Sequence, residues 1–329
     1  MAELVTLGEA MIRLSPPHFM RLEQTTAFDA CVGGSEMNIA VAAQRMGLSS
    51  ALVTAVPDNP LGRMIVNKTR EHGVDTSCII VKTGTRAGVY YLELGAKPRS
   101  SAVVYDRAGS AIAVTKPGEL PWKQAFDGAR HFHTGGITPG LSDSAAEVTL
   151  EGLKAAKEAG LSTSFDLNFR ARLWPEEKAQ EVITPMCPLI DVLITTEEDT
   201  HRVFKLKGDT YEQVARKLVD EFGFKVVAIT LRENLSVWRN NWTAIAYAGG
   251  KVFKTHTYDV EVVDRVGAGD SFTAGFLVGY LDGGDVQKGV DFGTALSALK
   301  HSIPGDLNWA TRPEVEKLLA GGGSLRISR

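Results

Sequence analysis

The sequence has few of the features that mark several protein classes. Its three cysteines, Cys31, Cys78 and Cys187, lie far apart without metal-ligand spacing, so we expect reduced, buried thiols and a cytoplasmic protein. No apolar run approaches the roughly 20 residues of a membrane span, and the first residues are typical of a strand, not a signal peptide. With 36 Lys and Arg against 39 Asp and Glu, the net charge is −3. We therefore expect neither a nucleic-acid nor a membrane partner.

The chain is long enough, and apolar enough, for a large α/β core. It has 329 residues, of which 44% are hydrophobic. Apolar strand patterns at 50–56 and 78–81 flank a helical pattern at 60–72, an alternation that predicts a parallel sheet with crossover helices. Residues 85–112 break this rhythm and predict two antiparallel strands, which together with residues 11–30 suggest a small second sheet.

The most informative stretch runs from residue 262 to residue 276. It predicts a strand, a glycine-rich turn at Gly267 and Gly269, and a helix whose apolar residues recur at helical spacing. A turn followed by a helix N-terminus binds anions, because free backbone N–H groups and the helix dipole meet there. Asp270 would repel a bound phosphate, so it suits a base that deprotonates an attacking hydroxyl. It also suits a helix N-cap, and the local pattern leaves both roles open.

Residues 264–270, Asp-Arg-Val-Gly-Ala-Gly-Asp, resemble the signature of the ribokinase-like (phosphofructokinase B type) carbohydrate kinases, usually Asp-Thr-x-Gly-Ala-Gly-Asp. Arg265 replaces the usual threonine. The resemblance implies one kinase domain over 1–329, with a three-layer α/β/α fold, a mostly parallel sheet and a small β-sheet lid from about 11–30 and 85–112. It also implies that Asp270 is the catalytic base. The turn Gly267, Ala268 and Gly269 would form an anion hole for the transferring phosphoryl group.

Gly33 and Gly34 precede a predicted helix that contains Asn38. One interpretation is a tight turn in which Ser35 is the helix N-cap. The other is a turn without side chains, where a polyhydroxyl ligand contacts the backbone and Asn38 both donates and accepts. The family carries Gly-Gly-x-x-x-Asn here, which implies that Gly33, Gly34 and Asn38 line the sugar pocket.

The resemblance also implies which side chains hold the sugar. Tyr90, Tyr105 and Arg107 of the lid would point at the substrate, although the tyrosines also suit ordinary strands and the arginine a solvated surface. Arg170, in the motif Asp-x-Asn-x-Arg, and a lid arginine hold the acid in kinases of 2-keto-3-deoxygluconate, since an arginine fork suits a carboxylate. Asp306 resembles a ligand contact of those kinases, but Gly-Asp is also turn chemistry.

The nucleotide side departs from the family pattern. Arg232 and Leu235 replace two glycines that pack against ATP in the family, and Thr196 replaces an asparagine. Glu198 is the candidate for organising Mg²⁺ through water. For ATP, the resemblance implies contacts from Asn168, Arg170, Thr196, Thr230, Arg232, Gly267, Gly269 and Thr294.

The family resemblance implies an ATP-dependent sugar kinase that uses Mg²⁺ and phosphorylates a hydroxyl of 2-keto-3-deoxygluconate. Fructokinase, or another sugar kinase of the family, is the alternative. The replacement of the two glycines by Arg232 and Leu235 also supports a further alternative, a non-catalytic sugar- or nucleotide-binding relative. The expected partners are a sugar or sugar acid and ATP, with a homodimer or higher homo-oligomer through the lid.

Overall fold

The computed structural model describes residues 1–321, so the end of the predicted domain 1–329 lies outside the described residues. In chain order the strands are β1 (Leu4–Leu7), β2 (Met11–Ser15), β3 (Asp29–Gly33), β4 (Ser50–Pro57), β5 (Ile79–Lys82), β6 (Gly88–Glu93), β7 (Ala102–Asp106), β8 (His131–Gly135), β9 (Ser162–Asp166), β10 (Val192–Thr195), β11 (Val226–Ser236), β12 (Arg239–Ala248), β13 (Lys251–Lys254) and β14 (Tyr258–Glu261). The α-helices are α1 (Ser35–Arg45), α2 (Pro60–Glu71), α3 (Trp122–Ala125), α4 (Asp143–Glu158), α5 (Glu176–Ile183), α6 (Glu197–Phe204), α7 (Tyr211–Phe222), α8 (Ala268–Tyr280), α9 (Val286–His301) and α10 (Arg312–Leu319), and Thr184–Leu189 forms a 3-10 helix.

The main sheet within residues 1–321 has ten strands in the order β13-β12-β11-β10-β9-β8-β1-β4-β5, with β14 paired to β12. From β11 to β5 the neighbours are parallel, whereas β12 is antiparallel to β11, β13 and β14. Strands β1 and β10 are buried throughout, as expected where helices cover both faces. The predicted three-layer α/β/α fold with a mostly parallel sheet is confirmed.

Successive residues of a strand contribute to different hydrophobic clusters. Leu193 of β10 packs in one cluster with Phe132 and Phe165, whereas its neighbour Ile194 packs in another with Phe272. The separation follows from the alternation of side chains between the two faces of a sheet. Full burial of one such side chain contributes about 1.5–3 kcal/mol, so the helices on both faces stabilise the sheet.

A separate small sheet has the strand order β3-β2-β6-β7. Strand β2 is antiparallel to β3 and parallel to β6, and β6 is antiparallel to β7. These strands come from the two segments that the sequence assigned to a second sheet, so that sheet is confirmed. Its function as a lid remains a prediction.

Helices α8 and α9 touch backbone to backbone through glycines. A Cβ atom on Gly275 would lie 2.6 Å from the carbonyl oxygen of Phe292, and one on Gly293 would lie 2.7 Å from the carbonyl oxygen of Phe272. Larger residues at these positions would force the helices apart. The close contact fixes the start of α8, where the glycine-rich turn lies, against α9.

The expectations about cysteines and membrane spans can be compared with the structure. All three cysteines are free; Cys78 and Cys187 are buried, but Cys31 is only half-buried. Among residues 1–321, none of the helices combines the length and the apolar character that crossing a membrane requires.

Candidate active site

A cavity of about 670 Å³ lies between the small sheet and the ends of the main-sheet strands β9, β10 and β11. Carboxyl ends of parallel strands are the usual place for α/β binding sites. Most of the predicted site residues lie in its wall: Gly34, Asn38, Tyr90, Tyr105, Arg107, Asn168, Arg170, Thr196, Glu198, Thr230, Arg232, Gly267, Ala268, Gly269, Asp270 and Asp306. Sequence positions more than 200 residues apart therefore meet in one cavity.

The carboxylate of Asp270 is directed by side chains from α1. Its two oxygens accept hydrogen bonds from Ser35 Oγ and from Asn38 Nδ2, each at 2.7 Å. The N-cap position of α8 belongs to Gly267, and no side chain caps it. Asp270 is therefore not the N-cap. Burial raises the pKa of Asp270, while the two hydrogen bonds favour the charged form.

Ser35 links Asp270 to a second wall of the cavity. Its hydroxyl accepts a hydrogen bond from Asn168 Nδ2 at 3.2 Å while it donates to Asp270. The N-cap of α1 is Gly34, with no side-chain cap, so Ser35 does not have the capping role considered from the sequence. The sequence pattern gave no signal for the contact with Asp270, because the two residues are 235 positions apart.

The glycine-rich turn presents free N–H groups at the start of α8. Among residues 1–321, the N–H groups of Gly267, Gly269 and Asp270 have no hydrogen-bond partner. The N–H group of Ala268 instead donates to the Arg265 carbonyl at 3.2 Å, which differs from its predicted place in the anion hole. Unpaired N–H groups and the positive end of the helix dipole make the turn suitable for an anion.

The two glycines of this turn are expected to respond differently to alanine. Gly267 has φ 81° and a Cβ atom would lie 2.1 Å from the Asp306 carbonyl oxygen, whereas a Cβ on Gly269 has nothing within 4 Å. Gly267→Ala should lower the free energy of unfolding by about 1–3 kcal/mol because of this strain. Gly269→Ala, the matched control, should change it by less than about 0.5 kcal/mol. Urea unfolding of both variants measures the difference, and equal losses would contradict the prediction.

Asp306 is the centre of a buried charged network. Arg13 Nη1 lies 2.9 Å from Asp306 Oδ1 and 2.8 Å from Asp264 Oδ2, and the Tyr90 hydroxyl donates to Asp306. The aspartate is thus more than a turn residue. Gly33 leaves space for it, since a Cβ atom there would lie 2.2 Å from its carboxylate. Gly33 itself is not in the cavity wall, so its sugar contact stays a prediction.

Arg107 is a buried residue of the small sheet, not a solvated charge. Only 7% of it is exposed, and its Nε atom donates to Glu9 at 2.8 Å. Its guanidinium also lies 5.3 Å from the ring centroid of Tyr105, whose ring is 5.8 Å from that of Tyr90. Glu9 holds Arg107 at the cavity and was not predicted, although a buried strand followed by Gly8 and a glutamate is a recognisable signal.

Three further acidic side chains of this region, Glu36, Asp166 and Asp199, have a raised pKa. Burial, reinforced by the nearby Asp270 charge, raises the pKa of Asp166 to about 7 and that of Glu36 to about 8. Burial also raises the pKa of Asp199. The positive charge of Arg170 acts in the opposite direction and lowers the pKa of Asp166 and of Asp199.

Two residues predicted for the nucleotide side, Glu198 and Thr294, make other contacts in this structure. Glu198 is in the cavity wall but is exposed and pairs with Arg202 at 2.5 Å, whereas the next residue, Asp199, is partly buried. Thr294 is fully buried, donates to the Val290 carbonyl within α9 and does not line the cavity. Asp199 is therefore a second metal candidate beside Glu198, and the nucleotide contact of Thr294 stays a prediction.

Comparisons with known proteins place this geometry in a family. The model of the pfkB family of carbohydrate kinases matches residues 1–309. A 2-dehydro-3-deoxygalactonokinase of Haloferax volcanii is 40% identical over 98% of this chain and 98% of its own. A 2-dehydro-3-deoxygluconokinase of Thermoproteus tenax is 32% identical over 97% of this chain and 94% of its own.

Among solved structures, the crystal structure of 2-dehydro-3-deoxygluconokinase from Thermotoga maritima superposes with a TM-score of 0.94. It is 43% identical, and the match covers 98% of this chain and 100% of the other. The family match spans far more than half of the chain. The chain therefore belongs to the pfkB family of carbohydrate kinases, as the motif at 264–270 predicted.

Proposed function

We propose that this carbohydrate kinase transfers the γ-phosphoryl group of ATP to a hydroxyl of 2-keto-3-deoxygluconate. The observation that carries the proposal is the placement of two arginines, Arg107 and Arg170, in the wall of the cavity that holds Asp270. A neutral sugar needs no such pair, whereas a sugar acid presents a carboxylate to it. The names of the three similar kinases support the same class of substrate.

Asp270 is the base of the proposed reaction. Ser35 and Asn38 hold its two oxygens, so one carboxylate orientation is maintained while a sugar hydroxyl approaches. Asp270 accepts the proton as that hydroxyl attacks the phosphoryl group in line. The free N–H groups at the start of α8 stabilise the negative charge that spreads over the phosphoryl oxygens.

Both arginines retain nitrogen atoms for a substrate carboxylate. Glu9 occupies Nε and Nη2 of Arg107, and Nη1 makes no hydrogen bond within residues 1–321. Arg170 is exposed, donates only to the Phe169 carbonyl at 3.2 Å and has no ion-pair partner among the described residues. On the opposite side, Tyr90 and Asp306 provide hydroxyl and carboxylate groups for sugar hydroxyls.

The proposed ATP site lies beside Asn168, Arg170, Thr196, Thr230 and Arg232. For Mg²⁺, the described residues contain no cluster of three His, Cys, Asp or Glu ligands. That still fits this ion, which usually keeps several waters and binds one or two carboxylates together with substrate phosphates. Asp166 and Asp199, which both line the cavity, would be those carboxylates here. When bound, Mg²⁺ supplies positive charge to the phosphate oxygens.

The substrate is tested by ADP release with a panel of 2-keto-3-deoxygluconate, its C4 epimer, fructose and ribose. Arg170→Met should raise KM for the keto acid about 10- to 100-fold, the loss expected for one charge-assisted contact. The KM for fructose, where measurable, should change by less than about threefold.

Arg216→Met, on the exposed helix α7, is the matched control and should leave both constants unchanged. Equal effects of Arg170→Met on the acid and on fructose would remove the reason for choosing an acid. A wild-type preference for fructose would make the protein a fructokinase. Sugar binding without ADP release would instead support a non-catalytic relative.

A further inference from the structure

Lys300, near the end of α9, has no role in the reaction described above and is fully buried. Its Nζ atom donates to two backbone carbonyls, that of Ile303 at 2.9 Å and that of Asp264 at 3.3 Å. No carboxylate of residues 1–321 lies within ion-pair distance of it. Lysine is almost never fully buried without a paired charge, so an ammonium ion held only by carbonyl oxygens needs an explanation.

The ammonium group lies directly under the glycine-rich turn. The Lys300 Cε atom is 3.5 Å from the position of a Cβ atom on Gly267. One turn earlier on α9, Ser297 Oγ donates to the carbonyl of Ala268 at 2.7 Å. Lys300 does not line the cavity, so it supports the turn without touching a substrate.

Two nearby carboxylates offset part of the cost of burying the Lys300 charge. Burial lowers its pKa, but the carboxylates of Asp264 and Asp306 act in the opposite direction. Arg13 is the other buried cation beside these two aspartates. Arg13 and Lys300 thus balance the charges of Asp264 and Asp306. Removing Lys300 would leave these buried residues with a net negative charge.

We propose that Lys300 is a positioning residue that supplies a built-in monovalent cation behind the anion hole. Its ammonium ion holds the carbonyls of Asp264 and Ile303 and keeps a fixed positive charge next to Gly267. The inference rests on the proposed function, because the charge acts where the phosphoryl group is transferred. Rings of backbone carbonyls also bind K⁺ in proteins, so a small neutral residue at 300 would leave a site for a free monovalent cation.

The test compares wild type with Lys300→Met and Lys300→Ala, after thermal melting has shown that the variants are folded. Lys300→Met should lower kcat about 10- to 100-fold and change KM for sugar and ATP by less than about threefold, since the charge acts on the transition state. In Lys300→Ala, ammonium or potassium chloride should raise kcat at least about fivefold over tetramethylammonium chloride at equal ionic strength. Wild-type kcat should be the same in all three salts, and Lys288→Met, at a partly exposed lysine of α9 that pairs with Asp282, should behave as wild type.

Three results would overturn the proposal. They are a folded Lys300→Met with wild-type kcat, an equal loss in Lys300→Ala in every salt, and a wild type that needs potassium or ammonium. If neither variant folds, the salt independence of the wild type decides. If the panel selects another sugar, the substrate proposal fails, and the Lys300 experiments are run with that sugar.

Discussion

Asp270→Asn is expected to lower kcat by at least about 10²-fold, because the amide cannot accept the proton of the attacking hydroxyl. The amide has the shape of the carboxylate. Its oxygen can keep the hydrogen bond from Asn38 while its NH2 group donates to the Ser35 hydroxyl, which can also accept. Sugar affinity should therefore stay within about threefold of wild type. Steady-state kinetics and calorimetric titration with the sugar measure the two quantities separately.

The pH dependence provides a further check on Asp270. A base must be deprotonated, and burial raises the pKa of this aspartate. The rate constant kcat/KM should thus fall as pH decreases through a value above the ordinary aspartate range. Asp220→Asn, an exposed change on α7, should show the wild-type rate and pH profile. An Asp270→Asn protein with more than a tenth of the wild-type kcat would rule out the assignment of the base.

Arg13→Met is expected to cause the largest loss of stability. Arg13 and its partners Asp264 and Asp306 are each at most 5% exposed as side chains. Removing the guanidinium leaves two carboxylates buried with too little positive charge, and breaking a buried pair costs about 3–5 kcal/mol. Urea unfolding gives the change in the free energy of unfolding.

A surface pair provides the matched control for Arg13→Met. Arg239 makes two contacts with Asp259, but these side chains are 59% and 50% exposed. Arg239→Met should therefore cost at most about 1 kcal/mol, since water screens exposed pairs. Similar losses for both variants would show that burial does not determine the contribution of Arg13.

The sequence predicted the features that depend on neighbouring residues. The turn at Gly267 and the helix that follows it result from two glycines and from local periodicity, and the structure has both where expected. The strand predicted from residue 262 onward is wrong in position, because β14 already ends at Glu261. The two antiparallel strands predicted in residues 85–112 are likewise present, as β6 and β7. Such patterns extend over a few residues, so no tertiary information is needed to interpret them.

Contacts between distant residues were not predictable in this way. Arg13 and Asp306 are 293 positions apart, and nothing near Met11–Ser15 indicates that a charged residue of a strand is paired. Glu198 and Asp199 differ by one residue, but in a helix this is a rotation of about 100°, so the packing of α6 decides which carboxylate turns inward. The packing of α9 likewise decides where the Thr294 side chain points: it is directed away from the cavity and donates to the Val290 carbonyl.

The pairing of Arg13 with Asp264 and Asp306 has a consequence for how ligands enter the protein. Arg13 belongs to β2, an inner strand of the small sheet, whereas both aspartates lie next to the glycine-rich turn. Swinging the whole small sheet outward would separate three buried charges, which is costly. Within residues 1–321, β7 is an edge strand that pairs only with β6, and it is mostly exposed. We therefore expect the entrance of the cavity to open by displacement of β7 alone, while β2 keeps its position.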